Sequence, residues 1–95
     1  MKDHFGCPVQ GTVNAINGKW KILVTWHLGF GAKGFAHLSD LLPGVSEKVL
    51  TSQLRQLEAA GIVHREVTYS SPPHVTYFLT HAGAELIEPM SALCA

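Results

Sequence analysis

The chain has 95 residues, a length that suits one compact domain, so we expect residues 1–95 to fold as a single unit. Apolar residues make up 46% of the chain and charged residues 15%, a globular composition that argues against a disordered or repetitive protein. The longest apolar run, residues 22–26, is far too short to cross a membrane, and the first residues lack the layout of a secretion signal. We therefore expect a cytoplasmic protein without membrane contact.

The charges are balanced in number but not in position. Seven Lys and Arg residues match seven Asp and Glu residues, so the formal net charge is zero, which argues against a partner as anionic as DNA. Residues 19–65 carry six basic and three acidic residues, whereas residues 66–95 carry three acidic residues and no Lys or Arg. The middle of the chain is therefore basic by three charges and the last third is acidic by three.

The first third of the chain has helical patterns. Pro8 suits the first position of a helix, and the apolar residues after it predict a short helix that ends at Asn17-Gly18. Residues 19–28 are apolar at too many positions for one face, which predicts a second, largely buried helix. His27 within it is expected to lie in the core or to line a pocket.

Residues 35–60 carry the pattern of a helix-turn-helix. Apolar residues at spacings of three and four predict a third helix, which Pro43-Gly44 closes. Ser46 is placed to cap a fourth helix at residues 46–60, in which leucines share one face and after which Gly61 acts as a stop. Two helices joined by so short a turn predict a helix-turn-helix.

The last third changes to a period of two and then returns to a helical pattern. Alternating residues at 63–69 and 75–79 predict a hairpin with a five-residue tip at 70–74. Thr80 is placed to cap a last helix, in which Pro89 predicts a kink. This order is that of a winged helix, so we expect an α+β fold with a two-stranded hairpin as the wing.

The fourth helix carries a polar ridge with the chemistry of a DNA-recognition helix. At about 100° per residue, the side opposite the leucines presents a cation, a hydroxyl and a guanidinium, those of Lys48, Ser52 and Arg55, with Thr51 on its flank. Arg suits the paired acceptors of guanine, Lys suits phosphate or guanine, and hydroxyls suit either. An ordinary solvated helix face has the same pattern, and the neighbouring turn and hairpin are what favour DNA.

Other polar residues complete the predicted DNA-binding set. Ser46 lies in the first turn of the fourth helix, where free backbone N–H groups favour a phosphate. The wing tip offers Ser70, Ser71 and His74 but no Lys or Arg, so we expect weak contact with the minor groove.

Several short segments resemble one family of regulators. They read CP at 7–8, GKWK at 18–21, LPGVS at 42–46, LTSQLR at 50–55, LEAAG at 57–61, PPHV at 72–75 and LT at 79–80. In this order they resemble the HxlR-type winged helix-turn-helix transcription regulators, relatives of the MarR group. The resemblance implies a bacterial homodimer that binds double-stranded DNA, with the first and last helices as the dimer interface.

The resemblance also assigns roles to residues. Four of them match the family's recognition-helix pattern: Ser46, Lys48, Thr51 and Arg55. Two departures remove phosphate contacts, because Gly34 and His74 stand where the family usually has Arg. The recognition helices of a dimer are expected in successive major grooves, with half-sites about one helical turn, or a multiple, apart.

The two cysteines, Cys7 and Cys94, do not form the pattern of a disulfide scaffold, so we expect free thiols. Cys7 would lie at the start of the first helix, where the helix dipole stabilises a thiolate. In several HxlR-type regulators a cysteine at this place senses oxidants or electrophiles, and Cys7 matches that position. The alternative is that Cys7 serves only as a small apolar residue at the dimer interface. A bridge from Cys7 to the partner's Cys94 is a further hypothesis.

No motif predicts a metal, a cofactor or catalysis. The chain has six histidines, but none pairs with another at helical ligand spacing, and His4 with Cys7 is too small a set for a site. The chain also lacks a glycine-rich phosphate loop, a nucleophile elbow and an acid pair, so we expect no enzyme. The alternative function is a winged helix that binds protein or senses a ligand and binds DNA weakly.

Overall fold

The computed structural model describes the backbone of residues 8–94 and the side chains of residues 18–92. The elements in this part of the chain are α1 (Pro8–Leu28), β1 (Lys33–Gly34), α2 (Phe35–Leu41), α3 (Glu47–Ala59), β2 (Val63–Thr68), β3 (His74–Leu79), α4 (His81–Ala84) and α5 (Ile87–Cys94). The three strands form one antiparallel sheet in the order β1-β3-β2. The predicted α+β winged-helix arrangement is confirmed, with α2 and α3 as the helix-turn-helix and the β2-β3 hairpin as the wing.

Helix α3 begins and ends where the sequence predicts. The Ser46 Oγ accepts a hydrogen bond from the Val49 backbone N–H at 3.1 Å, which is the geometry of an N-cap. At the other end, the Ile62 N–H donates to the Leu57 carbonyl oxygen at 3.0 Å, across a left-handed Gly61 with a φ of +77°. Glycine adopts this conformation without steric cost, so the chain leaves α3 directly into β2.

The core lies between α1, the helix-turn-helix and the sheet. Its buried apolar side chains come from four elements and one turn: Val24, Leu28, Leu38, Leu42, Leu50, Leu54, Leu57 and Val63. The leucines of α3 therefore face inward as predicted. Gln53 shares their face, because it is three residues from Leu50 and four from Leu57. Its side chain is buried, and its Oε1 has no hydrogen-bond partner among the described residues.

The prediction of two helices in the first third of the chain is wrong, because α1 runs unbroken through Asn17 and Gly18. A glycine inside a helix costs only about 1 kcal/mol relative to alanine. A Cβ built on Gly18 would meet nothing within 4 Å, and Gly18 is not among the glycines with positive φ. The residue is therefore a tolerated interior glycine rather than a helix stop.

The wing differs from the prediction in two ways. His74 is the first residue of β3 and pairs with Thr68, so the tip spans residues 69–73 rather than 70–74. The prolines at 72 and 73 lack a donor N–H, and the strand begins directly after them. The sheet also has a third strand, β1, which pairs with β3. Its two residues are too few to show a period of two.

The predicted last helix is divided in two. Helix α4 is capped by Thr80, whose Oγ1 accepts from the Gly83 N–H at 3.1 Å, and α5 begins after Glu85 and Leu86. Pro89 explains the break, because a proline ring clashes with the carbonyl group four residues earlier, here that of Glu85. Proline is tolerated in the first turn of a helix, which is the position that Pro89 takes in α5.

No helix in the described part of the chain combines the length and the apolar character needed to cross a bilayer.

Candidate nucleic-acid interface

The polar side of α3 faces solvent. Lys48, Ser52 and Arg55 are exposed and Thr51 is half-buried, on the side opposite the buried leucines. We call these four residues the α3 ridge. Leu50 and Leu54, on the opposite side of α3, are buried in the core. Their packing fixes the position of the helix, and therefore of the ridge, on the surface of the domain.

Hydrogen bonds within α3 orient two of the serines. The Ser52 Oγ accepts from the Gln56 amide Nε2 at 3.0 Å, so its own proton remains available to donate. The Ser46 hydroxyl is already used as the N-cap acceptor for Val49. Ser46 therefore has a structural role, and it can interact with a ligand by donating its hydroxyl proton.

The α3 ridge separates two clefts. The α2–α3 cleft is lined by Phe35, Glu47, Lys48, Thr51, Ser52, Arg55 and Gln56. The α3–sheet cleft lies on the other side and is lined by Thr51, Leu54, Arg55, Glu58, Arg65 and Tyr77. Thr51 and Arg55 line both clefts, so the polar surface continues from the helix-turn-helix to the base of the wing.

The cations of this surface are not neutralised within the described part of the chain. The contact between oppositely charged residue types that the structure shows there joins the His81 Nε2 and the Glu85 Oε2, at 3.8 Å on the surface of α4, and is an ion pair only when the imidazole is protonated. No carboxylate of a described residue is therefore paired with Lys48, Arg55 or Arg65. Two acids, Glu47 and Glu58, border the clefts without forming such a pair.

The predicted wing residues lie apart from the α3 ridge and line neither cleft. Ser70, Ser71 and His74 are all exposed. The Ser70 hydroxyl donates to the Pro72 carbonyl oxygen at 2.9 Å, which ties the tip to itself. Ser71 and His74 make no side-chain hydrogen bond to the residues that the structure describes.

A second surface, away from the ridge, is strongly apolar. A groove between α1 and α5, which we call the α1–α5 groove, is lined by Lys21, Ile22, Thr25, Leu57, Ile62, Leu86, Pro89 and Met90. Ile22 is 45% exposed and Leu86 39% exposed. Large aliphatic side chains left this open indicate an interaction surface.

The structure does not describe Cys7, and it describes only the backbone of Cys94, at the end of α5. The predicted sensor thiol and the predicted bridge therefore fall outside the described side chains. His27 is half-buried in α1.

Sequence reasoning did not place Arg65 and Tyr77 beside the α3 ridge. A pattern was available, since in a strand residues 63, 65 and 67 share one face. Val63 and Val67 point to the core side, so Arg65 stands on that side as well. A cation inside an otherwise apolar alternation indicates a side chain that reaches a cleft or an edge.

A family model described as HxlR-like helix-turn-helix matches residues 15–95. Among curated proteins, the chain is 47% identical over 85 residues to the HTH-type transcriptional regulator YybR of Bacillus subtilis (strain 168), across 90% of this chain and 67% of the relative.

Solved structures agree with this match. The redox regulator HypR in its oxidized form superposes with a TM-score of 0.78 at 42% identity, over 92% of this chain and 90% of HypR. The reduced form of the transcriptional regulator YodB from B. subtilis superposes with a TM-score of 0.75 at 31% identity, over 92% of this chain and 86% of YodB.

Proposed function

The chain belongs to the HxlR-like helix-turn-helix family, and from that membership we propose that it is a cytoplasmic DNA-binding transcriptional regulator that acts as a homodimer, each chain forming one winged-helix domain. The observation that carries the proposal is the α3 ridge. Lys48, Ser52 and Arg55 are exposed, and Thr51 is half-buried, on one side of a helix that is capped, packed against the core and placed second in a helix-turn-helix. That is the element such proteins insert into the major groove.

The residues of the ridge divide by chemistry. Arg55 can form two parallel hydrogen bonds to a guanine edge, whereas Lys48 is a point charge suited to phosphate or to guanine. Thr51 and Ser52 supply hydroxyls that suit bases or phosphates. Ser46 approaches a phosphate at the helix N-terminus, where the backbone dipole favours an anion.

The wing adds weaker contacts. Ser70, Ser71 and His74 are exposed at or next to the hairpin tip, where a winged helix approaches the minor groove. None of them is a Lys or an Arg, so we assign them a small part of the affinity.

The dimer is proposed to form through α1 and α5. Membership of the family is one reason, and the α1–α5 groove is the other, because Ile22 and Leu86 are left open to solvent in a single chain. A second copy that covers this groove removes apolar surface from water, which stabilises association. It also sets two α3 ridges about a twofold axis, as a roughly palindromic DNA site requires.

Salt dependence tests the function. The wild-type protein is expected to bind duplex DNA with an affinity that falls steeply between about 50 and about 200 mM salt, because each neutralised phosphate releases counterions. Fluorescence anisotropy with a labelled duplex measures the affinity, and sedimentation of the same samples gives the oligomeric state. Binding that is absent, or a chain that stays monomeric at high concentration, would contradict the proposal. A salt-insensitive interaction with a protein instead would support the alternative function.

Cys7 is proposed as a redox-sensing residue. HypR is named a redox regulator, and a thiolate at a helix start is readily oxidised. Peroxide converts such a thiolate to a sulfenic acid, which condenses with a second thiol to a disulfide and releases water. Mild peroxide is therefore expected to change the DNA affinity of the wild-type protein and to leave that of Cys7→Ser unaffected.

Non-reducing electrophoresis separates the possible outcomes. A dimer band that disappears in Cys7→Ser and also in Cys94→Ser supports a bridge from Cys7 to the partner's Cys94. A band that survives Cys94→Ser assigns the bridge to another thiol, and monomer alone argues against any bridge. An unchanged DNA affinity after oxidation would leave Cys7 as a small apolar residue.

A further inference from the structure

The sheet carries a polar row beside the recognition helix. In the strand register, Arg65 of β2 and Lys33 of β1 both pair with Tyr77 of β3. Directly paired residues of antiparallel strands project from the same face, and this is the face of Val63, which is buried in the core. Arg65 nevertheless remains exposed, because at this point the α3–sheet cleft opens to solvent.

The α3–sheet cleft offers hydrogen-bond donors that have no partner in the described part of the chain. Thr51 and Arg55 approach from the helix, and Arg65 and Tyr77 approach from the sheet. Neither guanidinium forms an ion pair with a described residue. Tyr77 packs against the core and also lines the cleft, so it is anchored beside Arg65.

The position of the cleft determines which part of a bound DNA duplex these donors would contact. With α3 in a major groove and the hairpin directed towards the adjacent minor groove, the sugar-phosphate backbone between the two grooves must pass over the space between helix and wing. In this fold that space is the α3–sheet cleft. Guanidinium groups bind phosphate oxygens through charge-assisted hydrogen bonds, and hydroxyl groups donate to the same oxygens.

We propose that the α3–sheet cleft is a phosphate-binding site, in which Arg65, with the hydroxyls of Tyr77 and Thr51, holds the DNA backbone between two neighbouring grooves. This inference rests on the proposed DNA-binding function and adds Arg65 and Tyr77 to its residues. It gives the wing a positioning role through its base, although its tip has no Lys or Arg. Arg55, which borders the same cleft, remains directed to the bases.

Glu58 places a negative charge beside the proposed phosphate site. It lines the same cleft, and its carboxylate lowers the positive potential there without pairing with either arginine. A phosphate in the cleft is therefore repelled by Glu58 and attracted by Arg65. Neutralising the two residues one at a time should change DNA affinity in opposite directions.

The test uses the full chain and a labelled duplex of random sequence, about 30 base pairs long, because non-specific binding depends on phosphate contacts. In Arg65→Gln, the slope of log affinity against log salt is expected to fall by about 0.9 for each occupied site, and the affinity at about 50 mM salt to fall at least about tenfold. Glu58→Gln is expected to bind more tightly than the wild type. Tyr77→Phe is expected to lose affinity with no change in slope, since it removes an uncharged hydroxyl.

Lys19→Gln is the matched control, because it removes one positive charge from α1. The Lys19 ammonium group stands 5.1 Å from the Trp20 ring centroid, and Lys19 lines neither cleft. It is expected to keep the wild-type slope. An Arg65→Gln slope equal to that of the wild type would overturn the phosphate site and leave the DNA-binding function intact. An equal loss in Lys19→Gln would also overturn it, because net charge alone would then explain the effect. A wild-type protein without salt-dependent DNA binding would overturn the function itself.

Discussion

Arg55→Ala is expected to weaken binding to the specific DNA site by about 5- to 150-fold, which corresponds to about 1–3 kcal/mol. The guanidinium is exposed on the α3 ridge and has no ion pair among the described residues, so its removal leaves the fold intact. Its loss removes a bidentate contact to a guanine edge, which scrambled DNA lacks. The specific duplex should therefore lose more affinity than a scrambled duplex of the same length.

Duplexes selected by the wild-type protein from a random-sequence library provide the specific site, and anisotropy titrations measure both affinities. Arg55→Lys is the matched variant, because it keeps the charge and loses the planar fork. If Arg55 reads a base, Arg55→Lys also loses discrimination. Equal losses on specific and scrambled DNA, largely restored by lysine, would instead assign Arg55 to a phosphate. Thermal unfolding of each variant checks that the fold is unchanged.

Gly83→Ala is expected to destabilise the fold by about 3 kcal/mol or more, because a Cβ at this position overlaps the Ile62 carbonyl oxygen. Neither side of the contact is free to move. The Thr80 N–H donates to that same oxygen at 3.0 Å, and the Thr80 hydroxyl donates to the Gly61 carbonyl oxygen. The start of α4 is thereby held against the turn that follows α3.

Thermal unfolding at one fixed protein concentration measures this effect, because the stability of a dimer depends on concentration. A loss of about 3 kcal/mol lowers the Tm by about 12 °C or more in a chain of this size. Gly18→Ala is the matched control, since a Cβ there meets nothing within 4 Å and alanine favours a helix interior by up to about 1 kcal/mol. A Gly83→Ala variant that unfolds at the wild-type temperature would show that the close approach is not needed.

The helix-turn-helix could be predicted from the sequence because the residues that determine it are close together in the chain. Ser46 caps α3 through an N–H three residues away, and Gly61 follows the C-cap residue Ala60 at the end of the helix. The leucine face repeats within α3 itself, so periodicity predicted both the buried side and the α3 ridge. The break predicted at Gly18 failed, because a single glycine disfavours a helix by too little to end one that packs against the rest of the domain.

The DNA-facing surface was only partly readable. The residues of the α3 ridge follow from one helix, whereas Arg65 and Tyr77 reach the same cleft from two strands. Their neighbourhood depends on the β2-β3 register and on the way that α3 lies over the sheet. The same packing places the carboxylate-bearing residue Glu58 at this cleft, where its charge repels a phosphate.

The sequence by itself determined the winged-helix order, the caps of α3 and the polar composition of its outer side, because propensity and periodicity act within a few residues of the chain. Only the tertiary structure decided that β1 joins the sheet, that Gly83 meets Ile62, and that Arg65 stands opposite Thr51 across one cleft. These are contacts between residues far apart in the sequence. They arise from side-chain packing and strand register, and a local pattern carries no information about either.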